Sequence, residues 1–258
     1  MEHSIITECL CKSFGEKQVL NSISLKVKKG EIFGLLGPSG AGKTTFLNIL
    51  TGQIQADSGK GLIFGQNIRE FTAQMYTRIG MLLDNCGLYA RLSGYQNLKI
   101  MSIIYGLSDD EIIEVLKEVE LLADKDKAVF RMSKGMQQRL AFAKILLYEP
   151  DIILLDEPTK GIDPFFCKKM GEWLEELKNM GKTIVIVSHD VEFCALFADK
   201  CGLIFDRNIE SYTDSHSFFA GNIFFTTDTN RIMSDFFKDC VTCDEAVEAI
   251  HRCLEDNR

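Results

Sequence analysis

The chain has 258 residues, 46% of them hydrophobic and 26% charged, the balance of a globular protein long enough for one large core or two small ones. Its formal charge of -8 is a poor fit to duplex DNA or an anionic membrane surface, so no nucleic-acid partner is expected. No basic head precedes an apolar run near the start, and no unbroken apolar run reaches roughly 18 residues, so neither a secretory signal nor a membrane span is expected.

Residues 4 to 30 fall into short alternating pieces, Ile5 to Leu10 and Ser22 to Val27, split by Gly15 and Gly30. They predict an antiparallel flank. Cys9 and Cys11 alternate on the first piece and read as packing. Three later runs, Ile32 to Leu36, Ile152 to Leu155 and Thr183 to Val187, are short, bounded and rich in Ile, Leu and Val. Each suits a strand buried on both faces. Helical periodicity precedes or follows each one, which argues for an α/β fold around a central parallel sheet.

Residues 93 to 130 carry no strand signal. Ser108-Asp109-Asp110-Glu111 forms a capping box, and helical spacing runs from Glu111 to Leu122. A helical insert of about 40 residues is therefore expected between two sheet segments. Beyond Asp206 the pattern weakens until Asp244 to Leu254, which reads as a closing helix. The odd total of nine cysteines fits thiols kept reduced better than a disulfide framework. Cys240 and Cys243, with His251 and Cys253 following, match no full zinc ligand set; structural thiols are the simpler reading.

Three stretches carry chemistry. Gly37-Pro38-Ser39-Gly40-Ala41-Gly42-Lys43-Thr44 fits G-x-x-x-x-G-K-[ST], follows a buried strand and opens a helix through Leu50. Its glycines let backbone N–H groups turn onto phosphate oxygens at a helix N-terminus. Lys43 would reach the β- and γ-phosphates, and Thr44 would offer its hydroxyl to Mg²⁺. The run Ile152 to Leu155 ends in Asp156-Glu157-Pro158, at the strand end where open α/β sheets bind ligands. Asp156 is placed to hold Mg²⁺ through water and Glu157 to activate an attacking water. An acidic cap on the next helix is the alternative. Ser188-His189-Asp190 ends the third run, where His189 could reach a γ-phosphate or cap the following helix.

In order and spacing, the phosphate loop, the helical insert, "SKGMQ", "LLDEP", "KGIDP" and "VSHD" resemble an ABC-type ATPase over about residues 4 to 206. The resemblance implies a P-loop core at 1–83 and 131–210 with a mostly parallel sheet and antiparallel flank. It further implies a helical subdomain at 84–130 and a C-terminal extension at 211–258, all within one ATPase domain. Its implied cofactors are ATP and Mg²⁺, with Thr45 also at the nucleotide. Ser133, Lys134, Gly135 and Met136 match the signature that caps the γ-phosphate held by a second subunit, identical or not. Two head-to-tail chains would then sandwich two ATP across an isologous interface. Phe14, in "KSFG", sits where an aromatic ring stacks on adenine, with a core Phe as the alternative. Gly161, Ile162 and Asp163 match the loop joining the two sites, and His189 matches the switch histidine.

One position departs from the pattern. Asp84 follows "IGMLL" where the family has a Gln that touches Mg²⁺ and the attacking water. An ionised Asp cannot donate a hydrogen bond, although it can still hold Mg²⁺. Met136 likewise replaces the signature Gln, as in exporter relatives. The resemblance implies a transport ATPase on the cytoplasmic face of the membrane, working with a separate transmembrane permease. Residues 84 to 98 are similar to multidrug and bacteriocin-immunity exporters. "HDVEF" and residues 224 to 232 are similar to energy-coupling importers of vitamins or metals. The exporter-like stretches lie around the coupling face and point to export of a drug, peptide or lipid-like compound. A soluble ABC protein acting on ribosomes or DNA would carry two units or coiled-coil arms, which this sequence lacks. A non-hydrolysing regulator conflicts with the presence of Lys43, Asp156, Glu157 and His189.

Overall fold

The computed structural model describes residues 2–83, 87–222, 225–237 and 240–256. Asp84 lies outside them. The first half runs β1 (His3–Phe14), β2 (Lys17–Lys28), β3 (Ile32–Leu36), α1 (Lys43–Leu50), β4 (Ser58–Ile63), β5 (Gln66–Asn67), α2 (Ala73–Tyr76) and β6 (Ile79–Leu82). Then come α3 (Gly94–Tyr105), α4 (Asp109–Glu118), α5 (Lys134–Tyr148), β7 (Ile152–Asp156), α6 (Pro164–Asn179) and β8 (Thr183–Ser188). The chain closes with α7 (Val191–Phe197), β9 (Lys200–Phe205), β10 (Asn208–Asp214), α8 (Ser215–Gly221), α9 (Asp228–Met233) and α10 (Cys243–Asp256).

The expected flank is an antiparallel sheet in the order β2-β1-β4-β5. The central sheet is ordered β10-β9-β3-β8-β7-β6, parallel except for the edge pair β9–β10. β3, β7 and β8 are continuous apolar runs because both of their faces are covered. Ile153, Leu155, Ile184 and Ile186 pack on one side against Phe142, Phe166, Met170 and Trp173. Phe33, Leu35, Ile152, Leu154, Val185 and Val187 pack on the other side against Phe46, Leu47 and Leu50. Trp173 of α6 stacks on Phe142 of α5 at 5.6 Å and meets Phe166 edge-on at 5.3 Å, which ties α5 to α6.

α3 and α4 pack on α5, forming a helical cluster beside the sheet. Capping boxes start both helices, Ser93 with Gln96 and Ser108 with Glu111. α4 ends at Glu118, short of the expected Leu122. Glu120 turns the chain with φ 56°, and Leu121 is buried from the irregular segment that follows.

Two further expectations are corrected. Cys9 has φ 48° at a register break between Thr7 and Leu10, so the alternation fails there. Cys9 is exposed and Cys11 half-buried, so neither is a core packing residue. The region beyond Asp206 is also more structured than its pattern suggests. Phe218, Phe219 and Val241 join the main core. Thr227 donates to the Val241 carbonyl at 2.5 Å, and the Asp228 amide donates to Glu192 of α7 at 2.8 Å. Cys240 is buried and its thiol donates to the Glu245 carbonyl at 3.7 Å, while Cys243 contacts the Thr229 hydroxyl at 3.2 Å. Among the described residues, no helix is long and apolar enough to cross a membrane.

Candidate active site

Because β3, β8 and β7 are parallel neighbours, their C-terminal ends lie side by side. The loops after Leu36, Ser188 and Asp156 therefore converge, as expected for an open α/β sheet. The first is the glycine-rich loop, and two of its glycines are sterically required. A Cβ at Gly37 would sit 2.4 Å from the Ile204 carbonyl oxygen. Gly42 has φ 100°, and a Cβ there would sit 2.7 Å from Leu20 Cδ2. Gly42 is also the N-cap of α1, where no side chain caps the helix. The free N–H groups and the positive end of the helix dipole thus face the loop, a natural seat for phosphate.

Lys43 is buried and donates to the carbonyls of Gly37 at 2.7 Å and Pro38 at 3.1 Å. The Ala41 amide donates to the Pro38 carbonyl at 3.2 Å, closing the loop on itself. Burial lowers the Lys43 pKa from its ordinary value; the charges of Glu157 and Asp156 oppose that shift. The ammonium lies 4.0 Å from Glu157 Oε1. The Thr44 hydroxyl donates to Asp156 Oδ2 at 2.7 Å, joining the first turn of α1 to the end of β7. A hydroxyl and a carboxylate so close are both hard oxygen donors, the set Mg²⁺ prefers.

Glu157 follows β7 with φ 51°, a left-handed backbone that costs a non-glycine residue on the order of 1–3 kcal/mol. Its amide donates to the Val187 carbonyl at 2.8 Å. Its Oε2 accepts from the Ser188 hydroxyl at 3.0 Å and the His189 amide at 3.3 Å, and lies 2.7 Å from His189 Nδ1. The His189 ring is 66% exposed and lines the cavity, and it does not cap the following helix. Asp190 caps α7 instead, accepting from the Phe193 amide, and also accepts from the Thr159 hydroxyl at 2.8 Å. A cavity of about 310 Å³ lies between these groups. Ser39, Gly40, Gly42, Lys43, Thr44 and Thr45 line one side, with Asp156, Glu157, Lys160 and His189 opposite.

Lys160, which lines the cavity, and Ser188, which donates to Glu157, carry no role expected from the motifs although both stand within them. Lys160 stands in the "KGIDP" stretch and Ser188 in "VSHD", so position relative to those motifs was the available signal. Phe14 is 50% exposed, which overturns the core alternative, and the Lys12 ammonium lies 5.3 Å from its ring centre. Phe14 does not line the cavity.

Ser133, Lys134, Gly135 and Met136 do not line it either. Ser133 is the N-cap of α5, accepting from the Met136 amide at 3.2 Å. Ser133 and Lys134 are exposed, so this helix N-terminus faces outward. Gly135 packs against the neighbouring loop, where a Cβ would sit 3.0 Å from the Gly161 carbonyl oxygen. Gly161 has φ 75°, Ile162 is packed against the core, and Asp163 caps α6 by accepting from the Phe166 amide at 3.0 Å. Gln138, buried on α5, donates to the Pro158 carbonyl at 3.1 Å and the Glu157 carbonyl at 3.4 Å.

A glycine-rich loop ending in Lys43, a paired Asp-Glu strand end and an exposed histidine around one cavity agree with a direct match. Residues 20–160 match the ABC transporter family. The chain belongs to that family. It is 36% identical over 200 residues to a lantibiotic transport ATP-binding protein of Streptococcus pyogenes, covering 78% of this chain and 86% of that one. It is 38% identical over 211 residues to a bacitracin transport ATP-binding protein of Bacillus licheniformis, covering 81% and 69%. Among solved structures, a dimeric bacterial ABC transporter cassette superposes with TM-score 0.75 at 28% identity, covering 82% of this chain and 98% of that one. The structure of cbiO1 from Clostridium perfringens, part of the ABC transporter complex cbiONQ, superposes with TM-score 0.75 at 26% identity, covering 92% and 96%. As an ABC ATPase, the protein binds ATP and hydrolyses it to ADP and phosphate.

Proposed function

We propose that this ATPase drives export of an antimicrobial peptide or drug-like amphiphile through a separate transmembrane permease, as a peripheral subunit on the cytoplasmic face of the membrane. A relative named for fluoroquinolone export supports the export direction, and those named for lantibiotic and bacitracin transport support the class of cargo. The observation that carries the chemistry is the Glu157 carboxylate, held beside His189 and Lys43 at the mouth of the phosphate loop.

In this reading the backbone amides of Gly40 and of Gly42 to Thr45 face the phosphates, and Lys43 moves from its own loop carbonyls onto the β- and γ-oxygens. Phe14 stacks on the adenine. Thr44 and Asp156 hold Mg²⁺, which when bound neutralises phosphate charge; Asp84 is a further candidate ligand. Glu157 orients the attacking water and takes its proton, while His189 donates to the γ-phosphate. Ser133 to Met136 cap the nucleotide of a second ATP-binding subunit, identical or homologous, and Gly161 to Asp163 meet that subunit. The outward N-terminus of α5 supports this role, because it has donors to offer and no place in its own cavity.

The test is a strain lacking this chain, challenged with cationic antimicrobial peptides and cyclic peptide antibiotics. Restored tolerance with the wild-type chain, and none with Glu157→Gln, supports export. A second reading, an energy-coupling importer, rests on "HDVEF" and residues 224 to 232, whose sequence is similar to such importers. Co-purification with a small-molecule-capturing membrane subunit, and no change in tolerance, would favour it.

A further inference from the structure

Gln138 occupies a position that an apolar residue of similar volume could fill. It is 4% exposed, on a helix whose other buried residues include Leu140, Ala141 and Phe142. A buried amide is costly unless hydrogen-bonded. Its Nε2 donates to two successive carbonyls, those of Glu157 at 3.4 Å and Pro158 at 3.1 Å. These carbonyls belong to Glu157 itself, whose φ is 51°, and to the residue after it. Such a backbone persists only where the surroundings over-determine it.

Glu157 is held from three directions. Its amide is tied to Val187 on β8, and its carboxylate to Ser188 and His189. On the carbonyl side, Glu157 accepts from the Lys160 amide at 3.2 Å within its own loop and from Gln138 of α5 at 3.4 Å, and Gln138 also holds the Pro158 carbonyl at 3.1 Å. We propose that Gln138 is a positioning residue for hydrolysis: it fixes the backbone after β7 so that the Glu157 carboxylate points at the attacking water. This rests on Glu157 being the base. Gln138 also lies five residues after Ser133 on the same helix. The segment that faces the partner's nucleotide is therefore hydrogen-bonded to the base of its own site.

The experiment compares Gln138→Leu and Gln138→Glu with wild type by ATP affinity, steady-state turnover and thermal unfolding. Gln138→Leu keeps the volume and removes both donors. Its ATP affinity should stay within about twofold while kcat falls on the order of 10- to 100-fold, the scale of a misplaced catalytic group. Gln138→Glu gives the sharper signature. When ionised it sets a carboxylate against two carbonyls; when protonated it can donate one hydrogen bond. Its activity relative to wild type should therefore climb as pH falls, which a merely structural residue would not show. Should Gln138→Leu fail to fold, the pH profile of Gln138→Glu decides alone. A wild-type kcat in Gln138→Leu, or a flat relative profile in Gln138→Glu, overturns the proposal. If Glu157→Gln keeps normal turnover, the base assignment fails first; if Glu157→Gln is dead and both Gln138 variants turn over normally, only the role of Gln138 fails.

Discussion

The Nδ1 atom of His189 lies 2.7 Å from Oε2 of Glu157, across the ends of neighbouring parallel strands β8 and β7. The contact sets an exposed ring against a half-buried carboxylate on the wall of the cavity that both line. Glu157→Gln keeps the shape and removes the base. ATP binding should persist, turnover should fall roughly 100-fold or more, and the ATP-bound dimer should accumulate. Sizing chromatography with a phosphate-release assay checks this; a monomeric variant with normal turnover contradicts it.

Lys43 and Ser133 belong to different sites if two chains assemble head to tail. Lys43→Ala should nearly abolish ATP binding, because it removes the mobile cation that reaches the β- and γ-phosphates. Ser133→Arg should leave monomer binding intact and prevent closure of the dimer. When the two variants are mixed, each mixed dimer has one site with both defects and one with neither. Some ATPase activity should return on mixing. Loss of nucleotide binding in monomeric Ser133→Arg would mean that the segment lines its own site.

The Lys43 ammonium titrates below an ordinary lysine because it is buried, and Glu157 is the larger of the two charges that resist this shift. Replacing Glu157 by Gln removes that support, so the Lys43 pKa should fall further. Carbon-13 NMR of reductively methylated lysines, followed against pH with Lys43→Ala to assign the signal, measures it. An upward movement would contradict the charge arrangement.

Phe142 is fully buried between the sheet and α6. Phe142→Ala leaves a cavity at the α5–α6 contact and should cost about 3–5 kcal/mol of stability. Urea unfolding followed by far-ultraviolet circular dichroism gives the value directly. A loss below about 1 kcal/mol would mean that the two helices close over the gap.

The parts of the fold legible in the sequence are those where one local pattern suffices. β3, β7 and β8 are buried on both faces and read as unbroken apolar runs. The glycine-rich loop announces itself because steric limits at Gly37 and Gly42 leave little choice of residue. β4 and β9 carry no clear strand pattern because glycines and lysines interrupt them, and β6 because four residues carry little periodicity. The C-terminal region was obscured for another reason. Thr226, Thr227 and Asn230 are buried and hydrogen-bonded, so polar residues do the anchoring that a hydropathy pattern assigns to apolar ones. The outward-facing Ser133 was legible only through family resemblance, and Gln138 only through a contact between residues 20 positions apart.

Trp173 is the single tryptophan of the chain. It lies against Phe142 of α5, with the Lys169 ammonium 5.2 Å from its ring. α5 starts at the signature segment, and α6 starts at the loop beyond Gly161. The protein thus carries its own optical gauge at the seam between α5 and α6. Any sliding of one helix against the other alters the stacking and the cation beside the indole, and with them its emission. Nucleotide-driven motion at that seam can be timed by stopped-flow fluorescence on the unlabelled, unmutated chain.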